Sequence, residues 1–92
     1  MKMETQIVKL SDIVNHSLNV GDNITHADLY ITRGHGIESH VRKNDIEYTS
    51  IKMIDNSINK LETEAIKQPA LHNQISRLKK WKKHISNILS SK

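Results

Sequence analysis

Apolar positions in the second half of the chain recur at alternating steps of three and four. Ile51, Ile54, Ile58, Leu61 and Ala65 form one such series, and Leu71, Ile75, Leu78, Ile85 and Leu89 form another. This spacing lines one side of a helix and so predicts two amphipathic helices. The stripes mirror each other about residue 68, beside the only proline, Pro69. Proline is tolerated in the first turn of a helix and disrupts its interior. The chain is therefore expected to reverse there, making residues 44–92 an antiparallel helical hairpin. Ala65 then faces Leu71, Leu61 faces Ile75, Ile58 faces Leu78, Ile54 faces Lys82 and Ile51 faces Ile85. The alternative is one bent rod in an intertwined dimer, because Ile75, Lys82 and Leu89 continue the phase of Ile54 and Leu61.

The first helix of the hairpin is expected to open at Asn44, with Glu47 at the reciprocal position of a capping box. Asp45 and Glu47 also suit the positive end of a helix dipole. Before it, Ile7, Leu10, Val14 and Leu18 fit one helix face and Gly21 sits where a helix stops, which predicts a helix over residues 4–18. A rival reading makes residues 5–10 a strand and starts the helix after Ser11, a capping residue. Thr25 followed by Asp28 resembles a second capping box, opening a short helix through Ala27 and Tyr30 that ends at Gly34. Its alternative is a hairpin pairing residues 28–32 with residues 37–41 around residues 33–36.

The expected fold is thus predominantly all-α, in one small helical domain. Residues 1–43 cover the hairpin of residues 44–92. Ile46, Met53, Ile66, Trp81 and Ile88 flank the main stripes and widen the apolar faces. Either the N-terminal helices or a partner protein must pack there.

Composition narrows this picture in two ways. With 92 residues, no cysteine, no phenylalanine and 3% aromatics, the core is thin, aliphatic and without a disulfide. A second copy or another partner is an economical way to bury more surface. No apolar run approaches the roughly 20 residues of a membrane span, and residues 1–10 lack a signal-peptide core. The expectation is a cytoplasmic chain with no membrane partner.

Charge is unevenly placed. Residues 68–92 hold six bases and no acid, whereas residues 45–67 hold five acids and three bases, so the net charge of +4 comes from the last helix. Arg77, Lys79, Lys80, Lys82, Lys83 and His84 crowd around Trp81. Helical spacing turns Lys79, Lys80 and Lys83 away from the apolar stripe. Their functional reading is phosphate contact, with Trp81 stacking on an unpaired base. The plainer reading is a solvated face with Trp81 packed at the stripe's shoulder. Lys82 lies inside the apolar arc, about 20° from Leu71 and Leu89 on a 3.6-residue wheel. Its amine is expected to snorkel out toward Asp55, unless it serves to fix register or partner choice.

Motifs of catalysis are absent. The sequence has no Walker loop, no glycine-rich dinucleotide fingerprint, no His-Glu-x-x-His and no cysteine ligand. His26, His35 and His40 lie close in sequence with Asp28 and Glu38, residue types from which a metal site or a general base is built. Their spacing fits no such pattern, and they are read as exposed loop histidines. Residues 13–30 place Ser17, Val20, Gly21, Ala27 and Tyr30 near helix-turn-helix positions, but Asp22 and His16 occupy places that need apolar residues.

The sequence therefore predicts a binding protein rather than an enzyme, with no cofactor or metal. Its leading function is a small adaptor or inhibitor that docks on a protein through an apolar helix face bordered by the basic helix. The alternative is a nucleic-acid-binding regulator. In both, the site residues are Arg77, Lys79, Lys80, Trp81, Lys83 and His84, and a homodimer stays open as a form of partnership.

Overall fold

The computed structural model describes residues 3–91. Residues 1, 2 and 92 lie outside it, and with them the first part of the stretch read for a signal core. The chain is mostly helical, 64% against 10% strand, and it carries a small antiparallel sheet that the all-α expectation did not include.

That sheet corrects two boundaries. Strand β1 (Val8–Lys9) runs straight into helix α1 (Leu10–Asn19) after a 3₁₀ turn at Met3–Thr5. The helix expected over residues 4–18 thus begins six residues late, near the rival reading. Its buried face is Leu10, Ile13 and Ser17, while Ile7 and Leu18 are exposed. Gly21 ends it as expected. With φ at +80° it lets the Asp22 N–H reach the Ser17 carbonyl and its own N–H reach Leu18, the double bond of a Schellman stop.

Helix α2 (Ala27–Tyr30) continues as a 3₁₀ turn over Ile31–His35. Helix rather than hairpin is correct here. The stop, however, is Gly36 at φ +70°, not Gly34. Asp28 accepts the Thr25 N–H at 3.1 Å, the reciprocal half of the expected box.

The second correction falls at Asn44. Strands β2 (Val41–Lys43) and β3 (Ile46–Thr49) form an antiparallel hairpin, with β3 central in the order β1-β3-β2. Asn44 and Asp45 sit at φ +52° and +63° between paired Lys43 and Ile46. Two consecutive left-handed residues make the turn that matches strand twist, and Asn and Asp tolerate it. Ser50 is the true cap: its hydroxyl accepts the Met53 N–H at 3.2 Å and opens α3 (Ile51–Ala65).

After a turn over residues 66–70 containing Pro69, α4 (Leu71–Ser90) packs back on α3. The reversal expected from the mirror symmetry is present, and the bent-rod alternative is not. Ile51, Ile54, Ile58, Leu61 and Ala65 join Ile75, Leu78, Trp81, Ile85 and Leu89 in one core. Val8, Leu10, Ile13, Ile24, Leu29 and Ile37 close it from the N-terminal side. These segments occupy the place on the hairpin for which a partner protein was the other candidate. Of the flanking apolar residues, Trp81 is fully buried, Met53 and Ile88 are half-buried, and Ile46 and Ile66 face solvent. Lys82 snorkels as expected, reaching Asp55 at 2.8 Å.

Candidate functional site

The six basic-helix residues singled out by the sequence divide into three groups. Trp81 and His84 are both 0% exposed, so neither ring presents a face to a ligand. Arg77 is held by α2 and the loop before it: Nε donates to Asp28 Oδ1 at 2.5 Å and a terminal nitrogen donates to the Asn23 carbonyl at 3.0 Å. Lys79 and Lys83 are exposed and Lys80 is half-buried. Lys83 lies 3.7 Å from Asp22.

Two carboxylates organise the buried side of α4. Asp28 accepts Arg77 on one oxygen and, on the other, the Trp81 indole N–H at 3.1 Å together with Thr25. Gln74 adds a bond to the Asp28 carbonyl. The hydrogen bond that Arg77 donates to Asp28 raises the guanidinium's pKa further. Asp22 accepts His84 Nε2 at 2.7 Å, which places it below its ordinary value of 3.8 despite some desolvation. Because a carboxylate only accepts, His84 carries a proton on Nε2. Its Nδ1 lies 2.8 Å from His16 Nδ1, so the two rings share one proton there and tie α1 to α4. These groups brace the fold.

A different cluster faces solvent on α2, the following turn and the β2–β3 hairpin. Tyr30 donates its hydroxyl to Glu47 at 2.8 Å, and this bond raises the phenol's pKa. Three residues on, Arg33 lies over the Tyr30 ring, 5.4 Å from its centroid, and donates to His40 Nε2 at 3.1 Å. His40 packs at 5.5 Å from Tyr30, and His26 at 6.4 Å from it. The His40 side chain is only 5% exposed, so it is not the exposed loop histidine that its sequence context indicated. Burial lowers its pKa below 6.5; Arg33 and His26 reinforce this and Glu47 opposes it.

Two depressions flank the cluster and share Arg42. One, of about 440 Å³, is lined by Ser11, His26, Tyr30, Arg42, Asp45 and Glu47, among others. The other, of about 560 Å³, includes Arg33, Gly36, Glu38, His40 and Arg42. Among the described residues neither Arg33 nor Arg42 lies within ion-pair distance of a carboxylate.

The three clustered histidines do not form a metal centre. His35 turns to Glu64 at 3.4 Å, His40 to Arg33, and Asp28 inward to α4. No group of three or more His, Cys, Asp or Glu suited to a metal occurs among the described residues. None of the helices there is long and apolar enough to cross a membrane.

The sequence carried one signal for this cluster. Tyr30 and Arg33 stand three apart on a helical stretch, where side chains meet. Glu47 came from a segment read as helix and Arg42 from the stretch just before it, and the β-turn that brings both to Tyr30 was missed. No family model, no curated protein and no solved structure matches the chain.

Proposed function

We propose that the protein is a nucleic-acid-binding regulator whose contact surface is the Tyr30, Arg33 and Arg42 face. It acts by binding, without a chemical step of its own. The observation that carries this reading is the pairing state of the cations. Three of the basic side chains of α4 are matched by acids, Arg77 by Asp28, Lys82 by Asp55 and Lys83 by Asp22. Arg33 and Arg42 line one depression without such partners. A guanidinium offers five donors in a planar fork that fits phosphate oxygens. Beside it, Tyr30 is 41% exposed and offers the ring that Trp81 cannot. Lys79, Lys80 and Lys83 add an unspecific attraction from the outer side of α4. A cytoplasmic site of action goes with this reading.

The test is a salt titration of binding to a labelled oligonucleotide. Affinity should fall linearly on a log–log plot, because phosphate contacts release counterions. Arg42→Ala should reduce the slope by about one. Binding that ignores salt would contradict the proposal.

A second reading keeps a protein partner, for an adaptor or inhibitor. Leu18 and Val20 at the end of α1 are 57% and 56% exposed, next to the Asp22 that meets Lys83. This is an apolar patch bordered by the basic helix. Salt-insensitive capture of one protein, lost in Leu18→Ser, would favour it, and light scattering would show whether that protein is a second copy.

A further inference from the structure

We infer that Arg33, His40 and Arg42 form a seat for one backbone phosphate of a single-stranded nucleic acid, with an unstacked base lying against Tyr30 in the adjoining depression. The inference rests on the nucleic-acid reading above and specifies its ligand.

Arg33 can only donate, so at 3.1 Å the His40 Nε2 is the acceptor and the ring's proton sits on Nδ1. That Nδ1 is buried and has no hydrogen-bond partner among the described residues. A buried donor left without an acceptor is uncommon, and at a site it indicates a group still to come. His40 is one of the residues that line the depression holding Arg33 and Arg42.

Arg33, Arg42 and the His40 N–H are all donors, so the missing partner is an oxyanion with several acceptor oxygens. Glu38, the acid on this depression, is exposed and can turn to solvent. Arg42 also lines the neighbouring depression with Tyr30 and His26, so an anion held by Arg42 has an aromatic wall beside it. A phosphate attached to a planar base uses both halves, whereas a free carboxylate uses one.

In a duplex both faces of each base are already stacked, and only a splayed base can lie on an aromatic ring. Arg33, His40 and His26 all approach the Tyr30 ring, which still keeps 41% of its surface open.

The experiment measures fluorescence anisotropy with labelled oligo(dT) and with the same strand annealed to oligo(dA). Alongside, the His40 ring nitrogens are followed by NMR while inorganic phosphate is added. The single strand should bind about tenfold tighter than the duplex, the size of one base–aromatic stack. Tyr30→Ala should reduce the single strand to the duplex level, with circular dichroism confirming an intact fold. Phosphate should shift His40 Nδ1 saturably, and Arg42→Ala should abolish the shift. Equal binding of both probes, insensitive to Tyr30→Ala, overturns this inference and leaves the broader reading standing. A His40 Nδ1 signal unmoved by phosphate also overturns it. Failure of both probes to bind at any salt overturns the two together.

Discussion

The indole of Trp81 donates its N–H to the carboxylate of Asp28 at 3.1 Å, with the indole fully buried and Asp28 4% exposed. This bond joins the last helix to α2, and the same carboxylate holds Arg77. It takes the only tryptophan out of consideration as a stacking platform and shifts attention to Tyr30. Asp28→Ala should leave the indole N–H unpaired inside the core, at a cost of about 1–3 kcal/mol. Urea denaturation measures it. A loss within experimental error would contradict a structural role for this bond.

The helix boundary at Ser50 gives a sharper comparison. Ser50→Ala removes a cap that accepts the Met53 N–H and should cost about 1 kcal/mol. Asn44→Gly should be neutral or slightly stabilising, since Asn44 sits at φ +52° in the β-turn. Were Asn44 the helix cap instead, Ser50→Ala would leave stability unchanged. Denaturant midpoints of the two single variants decide the order.

What the sequence revealed and what it hid have the same physical cause. Helical stripes are long and redundant, so Ile51 through Leu89 predicted both long helices and their reversal at Pro69. Gly21 and the pairing of Asp28 with Thr25 were also legible, because caps and stops act within six residues. The β2–β3 hairpin was not. Asn44 with Glu47 satisfies a capping-box pattern as readily as Asn44-Asp45 satisfies a tight β-turn, and four-residue strands carry little periodic signal. The site suffered with it, since Glu47 meets Tyr30 across 17 residues and His40 acquires its burial only from the folded whole.

Two titrations should shape stability against pH. His40 is held below 6.5 in the fold, so on acidification the unfolded chain takes up that proton first. Stability then rises with pH through this window and falls as pH drops below 6.5. Asp22 is held below 3.8 chiefly by its bond from His84, so its contribution is complete above 3.8 and is lost as pH falls through the lower folded value. Denaturant midpoints followed from neutral pH downward should show two declines, with His40→Gln removing only the first. A flat profile down to 3.8 would contradict the burial of His40.

Lys82 pairs with Asp55 at 2.8 Å, but the two side chains are 43% and 40% exposed. Such a pair contributes about 0.2–1 kcal/mol. Lys82→Leu, on the apolar arc of α4, should therefore keep stability within about 1 kcal/mol of the parent or raise it. Light scattering should show the same particle mass. A change of mass would assign Lys82 a part in fixing register or partner.

The proposed nucleic-acid surface is tested most directly by comparing two charge-matched double variants on the same labelled single strand. Arg33→Ala with Arg42→Ala should weaken binding by at least about tenfold, because forked contacts to phosphate are lost. Lys79→Ala with Lys80→Ala, removing equal charge from α4, should weaken it only a few-fold. Should the lysine pair prove the more costly, the contact surface lies on the last helix and the Arg33–Arg42 face is not the site.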